Sequence, residues 1–306
     1  MSAPAGPGMA GDAELADLGV VDRLAYGGHG VVFRLSRPAG RLLKRYHDDV
    51  EVRAGELGRL IDLPAGMTTA DRRLVTATTA WPTGRVFDDG RCVGLLMREA
   101  PARFATRLAG RRCLLELQFL LYPRRAMWDE LVLPSGAQRC WLAVHYLRLF
   151  DVLHRNHVVL ADVSMRNLLW TLRGGPAVFA IDCDGFRIAD RPPAVRSADT
   201  VGWTDPAARP REATLDSDRY KLALVTLRLL LGEHAVTPED VRSSLPLRAT
   251  LGPELSSLAV RAARAGARPP ADSWLAALTG GNADPVRYVG RSRAGRGTVG
   301  RSRPVR

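Results

Sequence analysis

Three oxygen-bearing side chains stand close together in the chain: Asp162, Asn167 and Asp182. Two short apolar runs, Leu168–Thr171 and Ala177–Ile181, flank the turn Arg173-Gly174-Gly175-Pro176, which is the pattern of a β-hairpin. Asp162 and Asn167 precede the first run and Asp182 ends the second, so all three lie at one end of that hairpin. Scaffolds present reactive groups at such strand ends. One carboxylate can take a proton from a hydroxyl. An amide and a second carboxylate suit a hard cation, Mg²⁺ or Mn²⁺. Mg²⁺ takes oxygen ligands and usually only one or two from protein, leaving room for phosphate oxygens.

The elements that must position these groups are legible as patterns. Leu42–Tyr46 reads as a strand, a short hairpin beyond the glycine-rich stretch Leu18–Leu35, and Ala80–Phe87 and Arg91–Met97 as two more around Asp88-Asp89-Gly90. Asp49–Ile61 reads as a helix, and Leu63–Ala80 as a loop with an entering strand. From Pro101 the chain is expected to be more helical, with Ala105–Tyr122 in mixed order. Pro134-Ser135-Gly136 opens a clearer helix, with Leu142, Tyr146, Leu149 and Leu153 as a buried stripe. Lys221–Leu231 is apolar on nearly every face, which marks a buried helix. Leu255–Leu278 holds two more helices.

The 306 residues are 46% apolar and 25% charged, ordinary for a globular protein. No apolar run reaches the roughly 18 residues of a membrane span. The start lacks the basic and apolar regions of a signal peptide, so a cytoplasmic location is expected. Cys92, Cys113, Cys140 and Cys183 form no C-x-x-C pair, and reduced, mostly buried thiols are expected. The net charge of +12 is uneven: seven arginines and no acid lie between Arg287 and Arg306, and without them +5 remains. Residues 1–16 and 280–306 read as disordered by composition. The basic tail is a candidate for polyanion contact, with nucleic acid or an acidic lipid surface.

The stretch Leu160-Ala161-Asp162-Val163-Ser164-Met165-Arg166-Asn167, followed by Asp182-Cys183-Asp184, resembles the catalytic core of the protein kinases. It keeps the Asp and Asn of the family loop at the family spacing. Ile-Asp-Cys-Asp-Gly-Phe is similar to a variant in divergent bacterial kinase-like proteins. The resemblance extends in family order from Leu18 to Leu278. Gly27, Gly28, Gly30 and Val32 are similar to the Gly-rich loop, with Ala25 in place of its first glycine; the loop's backbone approaches phosphates, often at positive φ. Lys44 takes the place of the phosphate-anchoring lysine and Glu56 that of the helix glutamate that holds it, with Glu51 in reserve. Met97, Glu99 and Ala100 fall where the family closes the nucleotide pocket and hydrogen-bonds adenine with its backbone. Asp218 matches the acid that braces the catalytic loop. Arg268 matches an arginine that pairs with a glutamate near the family's A-P-E motif; Ala207 offers none, so Arg268 must pair elsewhere.

The resemblance implies an α+β, two-lobed protein kinase-like fold. Residues 17–100 would form the small β-rich lobe and residues 101–279 the larger helical one. It also implies an ATP- and Mg²⁺-dependent phosphoryl transfer to a protein substrate. Asp162 would accept the hydroxyl proton, Asn167 and Asp182 hold the metal, Lys44 anchor the α- and β-phosphates, and Arg166 supply a cation near the γ-phosphate. Asp184, two residues past Asp182, is expected to matter less. Departures at Leu160-Ala161, Ser164 and Cys183-Asp184 leave two other readings open: a nucleotide-binding scaffold, and a small-molecule kinase.

Overall fold

The computed structural model describes residues 11–37, 40–196, 200–209 and 212–280. The basic tail and residues 1–10 lie outside them.

Strands β1 (Ala13–Glu14), β2 (Val20–Tyr26), β3 (Gly30–Leu35) and β4 (Arg41–Tyr46) are followed by helices α1 (Ala54–Gly66) and α2 (Thr69–Thr78). Strands β5 (Pro82–Asp88) and β6 (Arg91–Arg98) complete a six-stranded sheet of order β1-β5-β6-β4-β3-β2, antiparallel except for β1 beside β5. Successive side chains on a strand face opposite ways. On β4 this sends Leu42, Lys44 and Tyr46 to one face, where Leu42 and Tyr46 join an apolar cluster with Leu57, Leu95 and Met97. Leu43 goes to the other face, with Leu35, Val86 and Leu96.

The chain then forms a hairpin of β7 (Ala105–Leu108) and β8 (Arg111–Leu114), a short α3 (Gln118–Leu121), and α4 (Gly136–Arg155). A capping box starts α4: Ser135 accepts from the Gln138 N–H, while the Gln138 side chain accepts from the Ser135 N–H. Its stripe Leu142, Tyr146, Leu149 and Leu153 is fully buried. After β9 (Val158–Val159), β10 (Leu168–Thr171) and β11 (Ala177–Ala180) form the expected hairpin, Leu168 opposite Ala180. Strand β12 (Arg187–Ile188) pairs with β9. Helix α5 (Leu215–Leu231) is buried along almost its whole length, between α4 and α7 (Leu245–Ala262). The short α6 (Pro238–Ser243) precedes α7, and α8 (Ala271–Thr279) packs on α4 and α7. The fold is thus mixed α+β, with the sheet in the first third and most helix after it.

Four expectations need correction. The first helix runs Ala54–Gly66, several residues later than Asp49–Ile61, because Val52 and Arg53 are held in extended pairing with Val195 and Ala194. The stretch read as loop and entering strand contains α2, whose Thr68 cap accepts from the Asp71 N–H and whose Val75 is fully buried. Ala105–Leu114 is a hairpin turning at Ala109-Gly110, both at positive φ, where a more helical region was expected. Residues 11–16 are ordered in part: Ala13 and Glu14 pair with Val86 and Phe87, and the Asp12 carboxylate accepts from the Arg85 backbone and guanidinium. Among the described residues no helix is long and apolar enough to cross a membrane, and none of the four cysteines is in a disulfide, three of them being buried.

Candidate active site

Lys44 sits mid-strand between Val32 on β3 and Leu95 on β6, in a row across one sheet face. Its side chain is only 8% exposed. An ammonium in such a place needs a counter-charge, since burying an unpaired charge is costly. It finds two. Lys44 Nζ donates to Asp184 Oδ1 at 2.8 Å and to Asp182 Oδ1 at 3.4 Å. Tyr46, two residues along on the same face, donates its hydroxyl to Asp184 Oδ2 at 3.1 Å. Burial alone would push the Lys44 ammonium down. The Asp184 and Asp182 carboxylates outweigh it and hold its pKa above the ordinary lysine value. Burial, reinforced by Asp184, also pushes the Tyr46 hydroxyl well up.

The two aspartates have different surroundings. The Asp184 side chain is 4% exposed and that of Asp182 is 45% exposed. Asp182 is left-handed, φ 56 and ψ 39, a conformation that a short polar side chain tolerates better than most. That turn ends β11 and sends the chain through Cys183-Asp184-Gly185. Asp184 thereby points inward to Lys44 and Tyr46, while Asp182 keeps a face to solvent.

Asn167 is tied to the same place from the other strand. The Ile181 N–H donates to the Asn167 carbonyl at 2.9 Å, which closes the hairpin next to Asp182. The Asn167 amide donates through Nδ2 to the Asp162 carbonyl at 3.0 Å and to Asp162 Oδ2 at 3.3 Å. Its Oδ1 has no partner among the described residues. Asp162 Oδ1 accepts from the Thr200 hydroxyl at 2.9 Å. The loop before Asp162 hangs on a fully buried carboxylate: Asp218 accepts from the Leu160 N–H at 2.5 Å and the Ala161 N–H at 3.1 Å. His154 Nε2 lies 3.4 Å from the same carboxylate, and Lys221 Nζ donates to the Ala161 carbonyl. The Asp218 carboxylate thus ties down the backbone just before Asp162.

A divalent cation fits these donors as far as oxygen chemistry goes. The half-exposed Asp182 carboxylate and the unpartnered Asn167 Oδ1 are hard ligands, and others would have to come from water or phosphate. Among the described residues no three His, Cys, Asp or Glu side chains cluster closely enough to hold an ion by themselves.

Other expected residues stand elsewhere. Glu56 does not hold Lys44. It accepts from Arg191 at Oε2 and Oε1, at 2.8 and 2.6 Å, and Glu51 lies 3.6 Å from Arg53. The α1 helix starts late and offers Glu56 to Arg191 just after β12, whereas Asp184 reaches Lys44 from the turn after β11. None of Gly27, Gly28 and Gly30 has positive φ. Gly30 is required for a different reason: a Cβ there would stand 2.2 Å from the Arg45 carbonyl, so β3 and β4 could not approach. Gly28 has open space around it. Met97 is buried opposite Leu42. The Glu99 N–H donates to the Gly40 carbonyl at 3.0 Å and so is not free for a ligand, and its carboxylate accepts from Arg34 at 2.8 Å. Ala100 is buried beside them. Arg166 is exposed and has Glu116 as its acidic neighbour. Burial pushes the Glu116 carboxyl up, against the pull of Arg166.

Sequence reading underrated Asp184 and missed Tyr46, Thr200 and Asp205. The signals existed. Tyr46 shares the face of Lys44 by period two, and a buried lysine demands a second acid close by. Arg268 finds the partner that Ala207 could not give: its guanidinium donates to both oxygens of Asp205, at 2.5 and 2.7 Å, and stacks over Tyr220. No protein-family model matches the chain, and no curated protein is significantly similar to it.

Proposed function

We propose that this chain is an ATP-dependent phosphoryl transferase of the two-lobed protein kinase-like fold, acting on a protein hydroxyl. The observation that carries the reading is the convergence of Lys44, Asp182, Asn167 and Asp162 at one end of the β10–β11 hairpin, each on a separately braced support. Phosphoryl transfer needs little covalent help from protein, so positioning and charge are what a site must supply. Asp182 and Asn167 Oδ1 would hold a Mg²⁺ ion, whose chemistry there would be to neutralise phosphate charge. Lys44, kept charged by Asp184, receives phosphate oxygens where Asp182 now accepts at 3.4 Å. Asp162, oriented by the Asn167 amide, takes the proton of the incoming hydroxyl. Thr200 occupies one oxygen of Asp162 and must leave or share it.

A second reading, a nucleotide-binding scaffold without transfer, is favoured by one observation. Glu56 is engaged with Arg191 and not with Lys44. Incubation with Mg²⁺-ATP and generic protein substrates, read by mass spectrometry, separates the two. Transfer that disappears in Asp162→Asn supports the enzyme. Equal background in native protein and variant supports the scaffold.

A further inference from the structure

A cavity of about 920 Å³ opens beside α1 and takes in none of Lys44, Asp162 or Asp182. Its walls come from α1, α2, the start of β4, the start of β5 and the end of β6. Five arginines line it, Arg41, Arg72, Arg73, Arg85 and Arg98, against two acids, Asp12 and Asp62. Asp12 is consumed by Arg85, which donates to both its oxygens at 3.0 and 2.5 Å. Asp62 is exposed and makes no ion pair within 4.0 Å among the described residues. The other four arginines have no carboxylate partner among the described residues. Residues 1–10, which adjoin the cavity in sequence, contain no acid.

Arg41 and Arg98 are the telling pair. Both are half-buried, and their hydrogen bonds go only to neutral oxygens: Arg41 donates to the Thr83 hydroxyl and Arg98 to the Thr76 carbonyl. Burial, and then the nearby Arg98 charge, push the Arg41 guanidinium below the ordinary arginine value. Two half-buried guanidiniums that repel one another, in a cavity whose one uncommitted acid is the exposed Asp62, form a preorganised receptor for an anion. Guanidinium forks match phosphate oxygens in pairs. Ile61, Pro64 and Trp81 add an apolar wall. The volume is that of a small-molecule site.

We propose that this cavity binds a small organic di- or polyphosphate, with its phosphates against Arg41, Arg98 and Arg72 and its apolar part against Ile61 and Pro64. This site is separate from the one around Lys44 and does not depend on that site's function.

Isothermal titration calorimetry of the full chain tests it, with sodium pyrophosphate in EDTA as the probe and citrate as the carboxylate control. The expected result is saturable pyrophosphate binding, tighter than citrate, weakened about tenfold by Arg41→Gln, as loss of one charge-assisted contact implies. Arg72→Gln, at an exposed side chain without a partner, weakens it in the same direction with no risk to the fold. Absence of saturable heat at millimolar pyrophosphate overturns the proposal. So does unchanged affinity in both arginine variants, or citrate binding more tightly than pyrophosphate. Heat that disappears in Lys44→Ala but persists in the arginine variants places the ligand at Lys44 and likewise overturns it.

Discussion

Lys44 is held by Asp184 first and by Asp182 second. Asp184 is nearly out of water, so its removal leaves a buried ammonium with one distant partner. Asp184→Ala should cost about 3 kcal/mol in chemical denaturation, the range for breaking one side of a buried pair. Tyr46→Phe removes one hydrogen bond to a charged acceptor and should cost about 1.5 kcal/mol. The pH dependence follows from the same contacts. Lys44 is raised above 10.5 and Tyr46 above 10.0, so the fold favours the protonated form of each. Their stabilisation is fully present below pH 10.0 and is lost as pH rises through the folded values. Denaturation midpoints measured between pH 8 and pH 11, roughly the span of these titrations, should fall at the alkaline end. The fall should be smaller in Tyr46→Phe; an identical fall would remove Tyr46 from the account. The acids at 162 and 182 were legible from spacing alone. The choice of Lys44's partner was not, because it depends on where α1 begins and which way Asp184 turns, and both are tertiary facts.

At the scale of elements, periodicity carried most of what sequence could tell. The α4 stripe, the buried α5 and the β10–β11 hairpin each repeat a spacing that burial enforces. The α1 start was missed because a pairing partner far along the chain, Val195, sets it; the β7–β8 hairpin is local, and its turn at Ala109-Gly110 carries no strong turn signal beyond one glycine. Glycines illustrate the same limit. Gly30 and Gly28 look alike in sequence, yet only Gly30 lies against a neighbouring strand. Gly30→Ala must push Arg45 aside and should destabilise by about 2 kcal/mol or more, an overpacking cost. Gly28→Ala should stay within about 0.5 kcal/mol, as open surface positions do. Thermal denaturation of both variants checks the pair, and equal effects would contradict the strand geometry.

Across the whole molecule, buried ionic pins hold the irregular segments near the site. Arg268, 2% exposed on its side chain, fixes Asp205 from the far end of the chain. Asp205→Asn should destabilise by about 3 kcal/mol, because the buried guanidinium loses its two-oxygen partner and keeps only the more exposed Asp216, 3.1 Å away. By contrast, the Glu56–Arg191 bond is partly exposed, and such pairs contribute little to stability. Glu56→Gln should therefore leave Mg²⁺-ATP affinity unchanged if Asp184 is what anchors Lys44.

The most direct test of the central claim is calorimetric titration of the native chain with ATP, with and without Mg²⁺, beside Lys44→Ala and Asp182→Asn. Mg²⁺-dependent binding is expected in the native protein, with weakening in Lys44→Ala and loss of the Mg²⁺ dependence in Asp182→Asn. Absence of ATP binding in the native protein at millimolar Mg²⁺, or an Asp182→Asn variant that keeps the full metal dependence, would contradict it.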